Sequence, residues 1–451
     1  MENKMQSKIP LSKAIAAGDI QTKLSIPFMG LGIFLKGQKI KGGLIFLLEV
    51  AFVLYMATSG GYALSMLPSL GNSAQQKVWN EAKQIYEYSA GDNSQLILLS
   101  GIVTCFVIVG FILLWIMQIK QAYRLQLQRE NNVHVKTFTE DIRSLFDENL
   151  HITLMSLPCI GILVFNIVPL VYMISMAFTS YSKEDNHLQL FGWNGLVQFQ
   201  RVLNFGGNIG RQFWHVLAWT VVWALVATFL NYVMGMILAM IINRKETKAK
   251  GFWRFCFVLS IAVPQFVSLM IMNIMLQPSG AINVLLQNHG LISGPLPFFT
   301  DAMWARVTII LINLWVGIPY TMLQVTGILQ NIPSELYEAA RMDGAGPVKI
   351  FMKITLPYML FVTTPYLITS FVGNINNFNV IYLLSGGGPT YVGDTAGQTD
   401  LLVTWLYKLT IDQQYYNLGA VIGILTFVIL TVVTLVTYRR SKSYKNEEAF
   451  M

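Results

Sequence analysis

Eight runs of mostly apolar residues, at 42–59, 95–118, 152–178, 213–242, 254–276, 305–329, 360–384 and 418–438, leave this chain few ways to fold. A helix needs about 20 apolar residues to cross a hydrocarbon core, and within that core each backbone N–H and C=O has to be satisfied inside the protein. The expected class is therefore all-α: a polytopic membrane protein of about eight transmembrane helices. Charged residues make up 12% of the chain and hydrophobic residues 54%, about half the charged share of an ordinary soluble domain. That leaves too little polar surface for a fold in water.

An even number of crossings puts both termini on one side, and the basic residues say which. The stretches 1–41, 119–150, 243–254, 331–359 and 439–451 hold 24 of the 31 Lys and Arg; the alternate stretches hold only Lys77, Lys83, Lys183, Arg201, Arg211, Arg306 and Lys408. Lys and Arg accumulate in cytoplasmic loops, so both termini and the 331–359 loop are expected in the cytoplasm. The same bias explains the net charge of +8 without a nucleic-acid partner. The first span begins only after about forty residues that carry seven lysines, so no cleavable signal peptide is expected. Residues 26–35 are apolar but too short to cross and are expected to lie at the interface or to re-enter. Cys105, Cys159 and Cys256 fall inside separate spans, a pattern that supports neither a disulfide framework nor a metal motif and reads as packing.

What the spans lack limits what the chain can do alone. Ion-coupled carriers place ionisable residues inside the membrane because those groups carry the coupling. Here Glu49 is almost the only clear case, in the first span, where it reads as structural or interfacial; His151 and His215 sit at span ends. The chain has no GxxxxGK[ST] phosphate loop, no HExxH and no nucleophile elbow. Gly386-Gly387-Gly388-Pro389 opens no basic helix and reads as a turn. The chain is expected to be no enzyme and to hold no metal.

Between the sixth and seventh spans lies a charged island, Glu338 to Pro357, reading EAARMDGAGPVKIFMKITLP. Ser334 after Pro333, with Glu335 and Glu338 in the opening turn, predicts a helix start, because carboxylates suit the exposed N–H groups and positive dipole there. Asp343-Gly344-Ala345-Gly346-Pro347 predicts a stop and a restart, since glycine accepts positive φ and proline fits a first turn. Leu356-Pro357 is expected to end the second helix before the next span. Such an insert reads as a docking surface or, alternatively, as an amphipathic pair that anchors a linker.

Glu338-Ala339-Ala340, Gly344 and Ile354-Thr355-Leu356-Pro357 resemble the cytoplasmic EAA loop of binding-protein-dependent ABC importers. The likeness continues through Ala177-Phe178-Thr179-Ser180-Tyr181, Asn313-Leu314-Trp315, Asn374 to Phe378, Gly387-Gly388-Pro389 and Thr399-Asp400-Leu401-Leu402. Over roughly residues 150–440 the chain is similar to the larger permease subunit (MalF-type) of maltose/maltodextrin importers. The resemblance implies a six-helix permease core and a bacterial inner or plasma membrane location. It also implies a second homologous permease, two ATPase subunits that hold ATP and Mg, and an extracellular sugar-binding protein. Glu338, Ala339, Ala340, Asp343, Gly344 and Pro357 are then the residues that couple the chain to an ATPase. The outer segment 182–212, with Trp193 and Phe199, is short for this family.

Neutral hydrogen-bonding groups are plentiful in the spans. Asn313, Gly317 and Tyr320 fall at i, i+4 and i+7, and Ser370, Asn374 and Asn377 repeat that spacing, so each trio is expected to line one helical face. Pro319 and Gly373 are positions where the helices could open. On spacing alone the amides either bound a cavity or bond between helices as packing glue. The resemblance implies that these six positions contribute to a sugar site, and that the position of Gly373 is one where the family can present an aromatic ring.

The expected organisation is an N-terminal extension with two spans and a basic linker over 1–150, the importer core over 151–440 and a tail over 441–451. The expected function is the permease subunit of an ATP-driven oligosaccharide importer, most directly for maltose or maltodextrin. The alternatives are a permease for another oligosaccharide, an ion-coupled secondary sugar carrier, and a membrane scaffold subunit.

Overall fold

A computed structural model of the protein describes residues 9–88, 91–184, 187–244 and 246–440, so the tail expected over 441–451 lies outside the described residues. The chain forms two compact units, one ending at Gly195 and the other beginning at Leu196. Among the described residues seven helices are long and apolar enough to cross a membrane, or eight if one sharply bent pair is a single span. They overlie the eight runs expected from the sequence.

Among the described residues the first unit begins with three short helices, α1 (Leu11–Ala16), α2 (Ile20–Leu24) and α3 (Leu31–Leu35). The span helices α4 (Lys39–Met66), α5 (Ser94–Glu130) and α7 (Leu150–Met176) follow, with α6 (Phe138–Leu145) between the last two. Side-chain caps set several starts: Asp19 accepts from the Thr22 N–H on α2, Asn93 from the Leu96 N–H on α5, and Thr137 forms a capping box with Glu140 on α6. The apolar run 26–35 packs beside the spans and is pinned there. The Met29 N–H donates to Glu49 Oε2 (2.8 Å), Gln118 Nε2 donates to the Ser25 carbonyl (2.6 Å) and Trp115 Nε1 to that of Ile26 (2.9 Å). Glu49 thus has a structural task, satisfying backbone that would otherwise lie bare in an apolar setting.

One expectation is corrected here: the three cysteines do not pack inside; all are free and exposed. The helical class holds, and the first inter-span loop adds one short hairpin to it, β1 (Lys77–Asn80) against β2 (Ile85–Tyr88), with Trp79 opposite Tyr86. Its signal was KVWN and IYEY, rich in residues that favour strands.

The second unit holds α8 (Val197–Leu203), the long α9 (Asn208–Asn243), α10 (Lys250–Ala262), α11 (Gln265–Met275) and α12 (Ala281–Asn288). After these come α13 (Ala302–Leu329), α14 (Ser334–Met342), α15 (Pro347–Ile350), α16 (Leu356–Ile375), α17 (Phe378–Ser385), α18 (Leu402–Tyr407) and α19 (Tyr416–Arg440). The fifth span is no straight rod: α10 and α11 meet at 84°. Pro264 offers no N–H and holds Val263 in extended backbone, which ends one helix and starts the next.

Helix α9 is the axis of this unit. Its Trp219, Trp223 and Ala227 pack with Leu269 on α11, Ile309 and Ile312 on α13, Ile375 on α16 and Ile381 on α17. Further along, Tyr232, Met236 and Ala239 pack with Met322, Val325 and Met359. Asn231 meets Gly317 while Gly235 meets Thr321, in step, so α9 and α13 run parallel. A Cβ at Gly235 would stand 2.6 Å from Thr321 Cβ and 3.1 Å from the Met322 backbone nitrogen. Gly235→Val is therefore expected to lower stability by about 1–3 kcal/mol through overpacking. Gly327→Ala, where a Cβ meets nothing within 4 Å, is expected to be neutral or to stabilise by about 1 kcal/mol. Thermal unfolding of the two variants in detergent checks both signs.

The segment after α17 folds into one locked loop. Asp400, wholly buried, accepts from Lys408 Nζ (2.7 Å), the Gly397 N–H (2.7 Å) and Thr404 Oγ1 (2.8 Å). The Thr399 N–H donates to the Gly387 carbonyl and Thr399 Oγ1 to the Gly388 carbonyl. The Gly387-Gly388-Pro389 turn and the Thr399-Asp400-Leu401-Leu402 segment, separate in sequence, are two halves of this loop, which contains a cis Gly388–Pro389 bond. Gln212 on α9 clips it by accepting from Thr395 and Ala396 N–H groups at 2.8 and 2.9 Å.

Candidate functional site

The two polar trios sit on different walls around α9. Asn313, on α13, is buried at 4% exposure, and its Nδ2 has no hydrogen-bond partner. Gly317, one turn on, lies against the Asn231 side chain of α9. Tyr320 is half exposed. On α16, Ser370 is half-buried, and Asn374 Nδ2 donates to Thr228 Oγ1 of α9 (2.9 Å). Trp223 Nε1, also from α9, donates to the Asn374 carbonyl (3.1 Å). No hydrogen bond joins one trio directly to the other among the described residues; α9 touches both.

The geometry corrects the expectation that Ser370, Asn374 and Asn377 share one helical face. Helix α16 ends at Ile375, and Asn377 is the cap of α17, its side-chain oxygen accepting from the Val380 N–H (3.3 Å). Asparagine is among the best N-cap residues because its short amide reaches an N–H that the helix leaves unpaired. Asn377 Nδ2 stays within 3.5 Å of Asn374 Oδ1, so the two amides remain neighbours across the break. The opening expected at Pro319 and Gly373 is likewise moved: α13 and α16 continue through both, and the seventh span breaks at Asn376.

The charged island forms the two-part element expected, with three corrections. Pro333 takes the cap position of α14 and Ser334 is its first residue, making no side-chain cap bond. Only Glu335 lies in the first turn, which puts Glu338 one turn further along. Pro357 stops nothing: a π turn at Phe351–Thr355 runs directly into α16, whose first turn accepts Pro357. The helix runs on through Pro357, and the widened turn before it spares the ring the clash with the preceding carbonyls.

Gly344 has φ +71°, and its N–H and that of Ala345 bond back to Arg341 and Ala340, so the chain leaves α14 by a left-handed turn. Tyr337 Oη lies 3.2 Å from Thr355 Oγ1 and holds the halves together. Glu338, Ala339, Asp343, Gly344 and Pro357 are exposed and Ala340 is half-buried. Leu336, Met342, Val348 and Met352 expose large apolar side chains beside them, Met342 at 88%. Behind this element, Asn243 Nδ2 at the end of α9 donates to Thr326 Oγ1 of α13 (3.2 Å), and Lys250 Nζ of α10 donates to the Asn243 carbonyl (3.2 Å).

Reading the sequence missed the contribution of α9: Trp223, Thr228 and Asn231. The available signal was an amide, Asn231, in an otherwise apolar span, with Thr228 three residues before it on the same face.

Residues 231–443 match the family described as binding-protein-dependent transport system inner membrane component. The chain is similar to the galactooligosaccharides transport system permease protein GanP of Bacillus subtilis (strain 168), with 38% identity over 79% of this chain and 85% of GanP. It is also similar to the maltodextrin transport system permease protein MdxF of the same organism, with 32% identity over 93% of this chain and 95% of MdxF. Among solved structures, a chain of a bacterial ABC transporter involved in the import of alginate covers 66% of this chain and 96% of its own length. That match has a TM-score of 0.52 at 22% identity, a likeness of fold.

Proposed function

Because the chain belongs to the inner membrane components of binding-protein-dependent transport systems, we propose that it is a permease subunit of an ATP-driven oligosaccharide importer, forming half of the translocation path. The observation that carries the reading is the exposed element built from α14 and α15, which presents Glu338 among bare apolar side chains between two membrane helices. Large exposed apolar groups in a polar setting mark a docking surface. Its partner is an ATPase subunit, which holds ATP and Mg and performs the hydrolysis; this chain couples to it through residues 334–357. A second homologous permease faces the other ATPase, and an extracellular sugar-binding protein delivers the cargo. The Lys and Arg distribution supports a cytoplasmic place for this element and both termini. Residues 1–150 form an extension and 151–440 the transport core.

Asn313, Gly317, Tyr320, Ser370, Asn374 and Asn377 are the proposed sugar contacts. Amides and hydroxyls both donate and accept, which suits sugar hydroxyls, and each neutral bond contributes only about 0.5–1.5 kcal/mol net. So modest a grip lets capture be followed by release. Maltodextrin is the first substrate reading. Galactooligosaccharide is the second, favoured by the higher identity to GanP. Gly373 bears on the choice, since a Cβ there would meet nothing within 4 Å and leaves a space where an aromatic ring could stack on a pyranose.

Uptake of labelled maltodextrins and galactooligosaccharides by the reconstituted complex tests the reading. Asn374→Ala is expected to raise KM by about 2–10-fold, the loss of one such bond. Sugar uptake that needs neither ATP nor a partner chain would favour the secondary carrier. Unchanged uptake after substitution in both trios would favour a scaffold.

A further inference from the structure

We infer that Asn231 of α9 is a further specificity-determining residue, a third-wall amide that takes a hydroxyl of the sugar together with Asn313. The inference rests on the reading of Asn313 and Gly317 as part of the sugar site.

Two unmet groups lie on the two helices that pack here, α9 and α13. Asn231 Oδ1 is a buried acceptor and Asn313 Nδ2 a buried donor, and neither has a hydrogen-bond partner. Buried polar atoms are rarely left so, and where they are, a missing ligand or water is a standing explanation. Gly317 relates the two: it lies one turn from Asn313 on the same helix, and a Cβ on it would come 2.3 Å from Asn231 Nδ2 and 2.5 Å from its Cγ and Oδ1. The bare backbone of Gly317 is what lets the Asn231 amide lie there. Helix α9 also holds Asn374 of the other trio, through Thr228 to its amide and Trp223 to its carbonyl. Asn231 is therefore the one amide of α9 set between the polar stripe of α13 and the helix wall that fixes Asn374.

A pyranose hydroxyl donates one hydrogen and accepts others. One hydroxyl, or two on adjacent carbons, can donate to Asn231 Oδ1 and accept from Asn313 Nδ2. Both atoms are closed off from solvent here, so the α9–α13 seam has to part during the cycle for sugar to reach them.

The test uses the reconstituted importer with maltotriose and a β-1,4-linked galactotriose as probes. Asn231→Ala is expected to raise KM about tenfold for the preferred sugar with kcat within twofold, and to change the preference between the two. Asn231→Ser, which keeps a donor and an acceptor, should recover most of that loss. With Cys105, Cys159 and Cys256 replaced by serine, Asn231→Cys should react with a small thiol reagent several-fold more slowly when sugar is saturating. If Asn374→Ala raises KM while Asn231→Ala and Asn231→Ser do not, and sugar gives no protection, Asn231 is only packing and the inference is overturned while the sugar site stands. A loss in kcat with preference unchanged and no protection overturns it equally and leaves a structural or water-holding amide. If neither Asn374→Ala nor Asn231→Ala moves KM, the sugar site itself is wrong.

Discussion

Asp400→Ala is expected to cost about 3–5 kcal/mol of stability, because it strands the Lys408 ammonium, only 16% exposed, without its counter-charge. The carboxylate does more than pair. It also accepts from the Gly397 N–H and the Thr404 hydroxyl, and Gly387 packs against it, so its removal leaves donors unmet on both sides of the loop. Lys408→Met should cost about as much for the converse reason, a bare buried carboxylate. The double variant Asp400→Ala, Lys408→Met should lose clearly less than the two singles together, since charge and desolvation leave with one another. Thermal unfolding in detergent reads all three. Single losses below about 1 kcal/mol, or simple additivity, would mean that the loop is held by its backbone bonds alone.

That loop also shows why some motifs carry structural information that their sequence conceals. Gly387-Gly388-Pro389 and Thr399-Asp400-Leu401-Leu402 are ten residues apart and look independent, yet the Thr399 hydroxyl and N–H tie one directly to the other. Gln212 and Trp219 of α9 then bond to the same loop, so the segment is tied to the axis of the second unit.

The positions of the spans were legible because a long apolar run has one solution in hydrocarbon. Their breaks were not. Pro264, Pro319 and Pro365 are equally visible in the sequence, but only Pro264 ends its helix; α13 and α16 run through the other two. Whether a freed carbonyl is tolerated depends on what neighbouring helices offer it, which is tertiary information. The break at Asn376 was half legible. Four amides among Asn374, Asn376, Asn377 and Asn379 satisfy helical spacing and also offer a cap, and the cap prevailed at Asn377. The wall contributed by α9 was the least legible, since periodicity identifies a polar face but not the face opposite.

Gly344→Val is expected to lower sugar uptake more than tenfold while ATP hydrolysis by the assembled importer persists. At φ +71° a β-branched side chain is an outlier, costing on the order of 1–2 kcal/mol locally, whereas asparagine tolerates the left-handed turn. Packing does not enter, because a Cβ at Gly344 meets nothing within 4 Å. The strain is therefore relieved where the chain is least held, by re-aiming the turn between α14 and α15, and the fold behind it is spared. Re-aiming moves Glu338 and the exposed Met342 relative to Val348 and Met352, which breaks up the proposed docking surface. Gly344→Asn should keep uptake within about twofold of the parent, as its side chain adds bulk without forbidding φ. Uptake and hydrolysis measured together in vesicles separate the outcomes. If valine leaves coupling intact, the turn does not set the docking geometry. If valine and asparagine fail alike, side-chain volume at the interface is responsible and the backbone is not.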